Sequence, residues 1–169
     1  MMAPTHVMLG VAGYLGAAPV APEALPLQAA PLVAAALGSL APDIDDPKSW
    51  LGRRLFFVSA PLAAVVGHRG ITHSLIAAAA ATAGLAYYFQ AGFTAPWAAA
   101  FLLGYLSHLF ADWNTGGIPL LWPSIRRFRA PWAFQTGGLI EYLLSLAFCA
   151  GLLFLAWTAF KSGDLARLL

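Results

Sequence analysis

The chain has 169 residues, of which 60% are hydrophobic and 9% are charged, against about 25% charged in a typical globular protein. This composition excludes an ordinary soluble protein and predicts a single membrane-embedded domain over residues 1–169. The formal net charge of +2 is too small to indicate a nucleic-acid partner.

Two short apolar segments, 7–18 and 29–41, lie near the N-terminus, with several prolines between them. No cationic region of the kind that begins a secretory signal precedes the first segment, so we expect it to be retained. Both segments are shorter than the roughly 20 residues of a full membrane span. They could cross with the help of flanking residues, a thinned bilayer or shielding by other helices. The second segment leads into an acidic loop from Pro42, whose carboxylates are predicted to be exposed at the membrane edge.

The next apolar segment, 55–67, is interrupted by Pro61, which is typical of a re-entrant or interfacial segment. After it, Thr72 is predicted to cap a helix over 72–89, and Gly92 is predicted to end this helix. The alanine-rich helix is long enough to cross a membrane.

The last two predicted helices cover 97–112 and 138–160. Pro96 lies at the start of the first, where a proline is tolerated, and residues 116–119 form an irregular connection. The second helix is the strongest predicted span, with Glu141 as its single interrupting charge.

The order of these segments predicts an all-α polytopic membrane bundle with about five crossings and one re-entrant or interfacial segment. If segment 55–67 does not cross, all four histidines lie at one membrane face. The acidic residues share this face except Glu23 and Asp164, and the lysines and arginines share it except Lys161 and Arg167. Because positive charge collects in cytoplasmic loops, we expect the histidine-bearing face to be cytoplasmic.

Residue types that bind metal ions are therefore gathered at one face. His108 and Asp112 are spaced i, i+4, so a helix points both side chains in one direction. His68 and His73 flank Gly70, whose backbone freedom would let the two imidazoles converge. The predicted metal ligands are His6, Asp43, His68, His73, His108 and Asp112.

Imidazoles mixed with carboxylates suit zinc, manganese or iron better than calcium or magnesium. One or more such ions, zinc first among them, would lower the pKa of a bound water to about 7. Arg69 is the candidate contact to an anionic group such as a phosphate. Glu141 is a candidate ligand or general base, or else an ion-pair partner of an arginine such as Arg129. Asp45 is a further candidate catalytic carboxylate, or else a solvated loop acid.

Four stretches of the chain together resemble the YdjM-type family of bacterial inner-membrane proteins, which are described as metal-dependent hydrolases. The resemblance covers most of the chain, and residues 68–74 are its most specific part. It implies a hydrolase with a bound divalent metal ion. The four stretches are Thr5-His6, Pro42-Asp43-Ile44-Asp45, His68-Arg69-Gly70-Ile71-Thr72-His73-Ser74 and Gly104-Tyr105-Leu106-Ser107-His108-Leu109-Phe110-Ala111-Asp112.

The chain is more distantly similar to the zinc-dependent phospholipase C group of helical enzymes, although it is shorter and far more hydrophobic than they are. That similarity implies a multi-zinc site that hydrolyses a phosphoester. The ligands implied are His6, Asp43, His73 or His68, His108, Asp112 and Glu141.

The sequence thus predicts a membrane-bound hydrolase that uses a metal-activated water on a lipid-derived or other amphiphilic ester, most of all a phosphoester. Its expected location is the bacterial inner membrane, with the metal site at the cytoplasmic side. One alternative is a non-enzymatic membrane protein that binds or transports a metal ion. Another is a structural membrane subunit whose polar residues pair only with one another.

Overall fold

The structure is a computed structural model that describes residues 1–67, 69–89 and 94–162. Over these ranges the chain forms seven α-helices and two 3₁₀ helices, and its β-structure is limited to one bridge between Ile118 and Phe128. The prediction of an all-α protein is confirmed. Four residues of the sequence analysis, His68, Gly92, Asp164 and Arg167, lie outside the described ranges.

The helices follow the predicted segments closely. The α-helices are α1 (Ala3–Ala17), α2 (Ala29–Gly38), α3 (Trp50–Arg54), α4 (Phe56–Val66), α5 (Leu75–Phe89), α6 (Ala95–Trp113) and α7 (Leu139–Ser162). The 3₁₀ helices are Ala41–Asp45 and Ile71–His73. Pro4 and Pro96 lie in the first turns of α1 and α6, where the missing N–H has no intrahelical partner to lose.

The start of α5 differs from the prediction. Thr72 was expected to cap this helix, but it lies in the preceding 3₁₀ helix and its hydroxyl donates to the carboxylate of Asp45. Ser74 caps α5 instead, since its hydroxyl oxygen accepts a hydrogen bond from the Ala77 N–H at 3.2 Å. The prediction for Thr72 was wrong because the tertiary contact to Asp45 takes up its hydroxyl.

Helix α6 lies at the centre of the fold and packs against α1, α2 and α5. Glycines in α6 and α2 let the backbones of the two helices come into direct contact. A Cβ atom added at Gly104 would lie 1.9 Å from the carbonyl oxygen of Ala35, and one added at Gly38 would lie 2.1 Å from that of Phe101. Such close approach is typical of helix pairs in membranes. It brings the C-terminal end of α2 against the polar side chains of α6.

Helix α7 packs mainly against α1 and exposes most of its apolar side chains. Within the described parts of the chain, it is the one helix long and apolar enough to cross a membrane, through Leu139–Thr158. The other apolar helices, α2, α4 and α5, are shorter. The structure therefore does not confirm about five crossings, which remain a prediction.

Candidate metal centre

The middle of the candidate centre is supplied by α6. His108 and Asp112 are both buried, and the predicted i, i+4 pair does face one side, with His108 Nε2 3.9 Å from Asp112 Oδ2. The other ring nitrogen, Nδ1 of His108, lies 2.7 Å from the carbonyl oxygen of Ser39. Because a carbonyl only accepts, Nδ1 is assigned the proton and Nε2 presents its lone pair to the centre.

His73 meets this pair from the 3₁₀ helix Ile71–His73. Its Nε2 lies 3.3 Å from His108 Nε2 and 3.5 Å from Asp112 Oδ2. Its Nδ1 lies 3.3 Å from Asp45 Oδ2, an arrangement that also assigns the proton to Nδ1. Two lone-pair nitrogens that face each other at this distance repel unless a proton or a cation lies between them. In a tetrahedral zinc site with bonds of about 2.0–2.1 Å, neighbouring ligand atoms lie about 3.3 Å apart.

Asp43 completes the inner face of the cluster. Its Oδ1 lies 3.6 Å from His108 Nε2 and 3.9 Å from His73 Nε2. Burial raises the pKa of this carboxyl above its ordinary value, and the neighbouring imidazoles of His6 and His73 oppose that shift. A cation at the centre would favour the charged carboxylate in the same way.

His6 joins the cluster from α1. Its ring stacks on that of His108, with centroids 3.7 Å apart and planes 11° from parallel, and its Nε2 lies 3.5 Å from Asp112 Oδ1. The side chain is 1% exposed; its Nε2 has only this long contact with Asp112, and its Nδ1 has no hydrogen-bond partner among the residues that the structure describes. Leaving a buried polar group unpaired costs roughly 1–3 kcal/mol, so His6 fits a ligand position better than a packing position.

The donor atoms form two overlapping groups that share His108. One group is His6, Asp43 and His108, and the other is His73, His108 and Asp112. Within each group the donor atoms lie within 4.8 Å of one another. The residues therefore could hold a metal ion, as the sequence predicted, and the nitrogen and oxygen donors suit a borderline ion such as zinc.

Arg69 borders the cluster in an unusual backbone conformation. Its φ of 56° lies in the left-handed region, which residues other than glycine rarely adopt. Its Nε lies 2.8 Å from Asp112 Oδ2. A Cβ atom added at Gly116 would lie 1.5 Å from Nη1 of Arg69, so the glycine provides the space for the guanidinium. The predicted role of Arg69 toward an anionic group remains a prediction.

Asp45 was expected in an exposed loop, and this expectation was wrong because the carboxylate is fully buried. It accepts hydrogen bonds from the Thr72 hydroxyl and, at 3.3 Å, from the Gly70 N–H, beside its contact with His73 Nδ1. These contacts are those of a positioning residue that orients an imidazole. The catalytic role predicted for Asp45 remains a prediction.

Glu141 is buried at the start of α7 and belongs to neither of the two groups of donors. One of its oxygens accepts from the Met2 N–H at 2.6 Å, and the other accepts from the Gly137 N–H at 2.7 Å. Arg129, its alternative partner in the sequence analysis, instead donates from Nε to the carbonyl oxygen of Thr115 at 2.9 Å. The carboxylate thus ties the start of α1 to α7, and its role as ligand or base stays a prediction.

Some groups of the centre had no signal in the sequence. The Ser39 carbonyl is a backbone group, and Gly116 matters only through the space that it leaves for Arg69. The amino group of Met1 lies 2.6 Å from Asp112 Oδ1. His68, a predicted ligand, lies outside the described residues.

The fold and the site define an all-α protein with a buried histidine and aspartate cluster that could hold a metal ion. The chain belongs to the YdjM inner membrane protein family, whose model matches residues 1–165. The predicted family resemblance is confirmed.

The chain is 46% identical over 117 residues to "Inner membrane protein YdjM" of Escherichia coli (strain K12), and a protein of the same name in Shigella flexneri gives the same figures. These matches cover 67% of this chain and 60% of the length of each relative. The chain is also 36% identical over 163 residues to "Uncharacterized protein YvsG" of Bacillus subtilis (strain 168), across 88% of this chain and 92% of that protein. No solved structure matches the chain significantly.

Proposed function

We propose that this protein is a metal-dependent hydrolase of the bacterial inner membrane that acts on a lipid-derived or other amphiphilic ester, above all a phosphoester. The observation that carries the proposal is the pair of buried imidazole nitrogens, His73 Nε2 and His108 Nε2, which face each other at 3.3 Å beside the carboxylates of Asp43 and Asp112. A divalent cation bound by these nitrogens and carboxylates would make the arrangement favourable.

The proposed ligands come from His6, Asp43, His73, His108 and Asp112, and zinc is the first choice of ion, with manganese or iron as alternatives. An ion bound there would supply the Lewis acidity that lets ester hydrolysis proceed at neutral pH.

The residues around the ligands have separate proposed tasks. Asp45 and the Ser39 carbonyl hold the rings of His73 and His108 with their Nε2 atoms directed to the centre. The guanidinium of Arg69, beside Asp112, is placed to contact an anionic group of the substrate. Asp45 and Glu141 remain the candidates for a catalytic carboxylate.

We further propose a multi-pass topology in which α1, α2, α5, α6 and α7 cross and the centre lies at the cytoplasmic side. At about 1.5 Å per residue, the 19 residues of α6 span roughly 28 Å, close to the thickness of a bilayer core. Helix α4 would lie at the interface, since Phe57 and Val65 are strongly exposed and the helix has only 11 residues, with Pro61 inside it. The lysines and arginines flanking the centre would then obey the positive-inside rule.

A non-enzymatic protein that binds or transports a metal ion is the alternative. Transport would call for ligands distributed along the membrane normal. The clustering of the donor atoms within 4.8 Å in each group favours a single resident site over a transport path.

The test is elemental analysis of the full-length protein purified in a mild detergent, followed by a hydrolysis screen with lipid extract and generic phosphodiesters. We expect one or two equivalents of a divalent transition metal and turnover of a phosphoester, both lost in His108→Ala and Asp43→Asn. The matched control is Asp46→Asn. Asp46 is a carboxylate of the same loop, but it accepts a hydrogen bond from the Lys48 N–H and belongs to neither donor group.

The outcomes separate the functions. Metal that stays bound without turnover of any ester would support the non-enzymatic alternative. Purified protein with no metal, or metal retained in both ligand variants, would overturn the proposal.

A further inference from the structure

A cavity of about 480 Å³ lies between the C-terminal end of α4, the turn that follows it and the loop before α7. Its volume is within the range of roughly 300–1,000 Å³ that small-molecule sites occupy. Its lining combines two arginines with apolar side chains and glycines. The lining residues that carry the argument are Val65, Arg69, Ile71, Trp122, Ile125 and Arg127.

Arg69 connects this cavity with the metal centre. It lines the cavity, while its Nε lies 2.8 Å from Asp112 Oδ2 within the cluster. A second link runs through Gly70, which also lines the cavity and donates its N–H to Asp45, the carboxylate beside His73. A group held in the cavity by Arg69 therefore lies next to the proposed metal ligands.

The charges of the cavity favour an anion. In the described part of the chain, its charged lining residues are Arg69 and Arg127. A guanidinium presents several N–H donors in a planar fork that matches the oxygens of a phosphate. The left-handed backbone at Arg69 and the space left by Gly116 fix one of the two guanidinium groups in place.

The apolar residues of the cavity favour an alkyl chain on that anion. Ile125 is 90% exposed and Val65 is 84% exposed, so the cavity opens beside a surface that carries exposed apolar side chains. A free phosphate would gain nothing from this surface. An amphiphile could lay its alkyl chain against these side chains while its anionic group meets the arginines.

We propose that this cavity binds an anionic amphiphile, with its phosphate group between Arg69 and Arg127 and its alkyl chain against Val65, Trp122 and Ile125. That the bound amphiphile is also the substrate rests on the proposed hydrolase function. That it binds here does not.

The test titrates the full-length protein, in a neutral maltoside detergent, with hexadecyl phosphate, inorganic phosphate and hexadecanol, and follows binding by native mass spectrometry. We expect hexadecyl phosphate to bind at one site, and to bind at least tenfold more tightly than either of the other probes. Arg127→Gln should weaken its binding roughly tenfold, the loss of one hydrogen-bonded charge contact.

Arg126→Gln is the matched control. It makes the same change one residue away, at a guanidinium that lies 5.8 Å from the ring centroid of Phe128 and does not line the cavity. We expect it to alter binding less than twofold. Equal weakening in the two variants would mean a general attraction of charge, and unchanged binding in Arg127→Gln would exclude the site; either result overturns the proposal.

The remaining measurements separate free phosphate from an alkyl phosphate as the ligand, and the cavity proposal from the hydrolase proposal. If inorganic phosphate binds as tightly as hexadecyl phosphate, the alkyl chain contributes nothing to binding and the proposal of an amphiphile is overturned. His108→Ala should retain hexadecyl phosphate binding even where metal and turnover are lost. If the wild-type protein binds metal and hydrolyses esters while Arg127→Gln leaves both alkyl-phosphate binding and turnover unchanged, the cavity proposal fails and the hydrolase proposal stands.

Discussion

At the candidate metal centre, charged and polar side chains are buried, whereas along α7 large apolar side chains face outwards. His6, His73, His108 and Asp112 are each at most 1% exposed, while Leu153 on α7 is 66% exposed. In water both arrangements would cost free energy, the first by desolvation of charge and the second by exposure of apolar surface. In a bilayer the second cost disappears, so only the buried polar cluster needs a functional explanation.

The two regions also differ in how they are held. The centre is built from residues of α1, α6 and both 3₁₀ helices, whose side chains contact one another directly. Helix α7 joins the bundle through few polar contacts, among them Thr5 with Ser145 at 2.9 Å and Glu141 with the Met2 N–H. We therefore expect substitutions in the two regions to affect different properties, metal affinity in one and attachment of α7 in the other.

Outside the proposed ligands, the largest effect on the candidate metal centre is expected from Asp45→Asn, which keeps the shape of the side chain but removes the charge beside His73 Nδ1. Loss of such an orienting contact typically lowers metal affinity about 10–100-fold. Competition with a chelator of known affinity measures the change, and Asp46→Asn serves as the control. An unaltered affinity would show that Asp45 does not position His73.

A smaller effect is expected from Glu141→Ala. The change removes the acceptor of two partly buried hydrogen bonds, from the Met2 N–H and the Gly137 N–H, and we expect a cost of roughly 1–3 kcal/mol of stability. Thermal unfolding in detergent should show a lower Tm, with metal content retained. Glu23→Ala, at an exposed carboxylate, should leave Tm unchanged. Loss of metal from folded Glu141→Ala would instead support Glu141 as a ligand.

The smallest effect is expected from Leu153→Ala on α7. This side chain already faces outwards, so its truncation should change stability by less than about 0.5 kcal/mol. Leu109→Ala on α6 is the matched change at a position that is 2% exposed, and should cost roughly 2–5 kcal/mol. Thermal unfolding of both variants in one detergent gives the comparison. Similar losses in both would show that α7 packs against more protein than this chain supplies.

The sequence was sufficient for the longer helices and for much of the histidine and aspartate cluster, but not for helix α3 or the two 3₁₀ helices. Helical spacing alone placed His108 and Asp112 on one face. The order of the segments brought His6, Asp43 and His73 to the same face, and the structure brings these side chains into direct contact. Both inferences depend on chain direction and periodicity, which the residues encode locally.

Other parts of the centre depend on tertiary contacts that no local pattern encodes. The choice between Thr72 and Ser74 as the cap of α5 is decided by Asp45, which lies far away in the chain. The burial of Asp45 follows from the fold of the 3₁₀ helices around it, and the proton on His108 follows from the direction of the Ser39 carbonyl. Neither the burial of Asp45 nor the position of the His108 proton can be inferred from hydropathy or residue spacing.

The close contact between α2 and α6 affects the protonation of the His108 ring. Gly38 and Gly104 let the two backbones touch. The residue that follows α2 is Ser39, whose carbonyl oxygen accepts the hydrogen bond from His108 Nδ1–H. One methyl group at either glycine would wedge the helices apart and draw that acceptor away from the ring. The tautomer of His108 therefore depends on two positions that carry no side chain, and a packing defect there would alter which nitrogen faces the candidate metal centre.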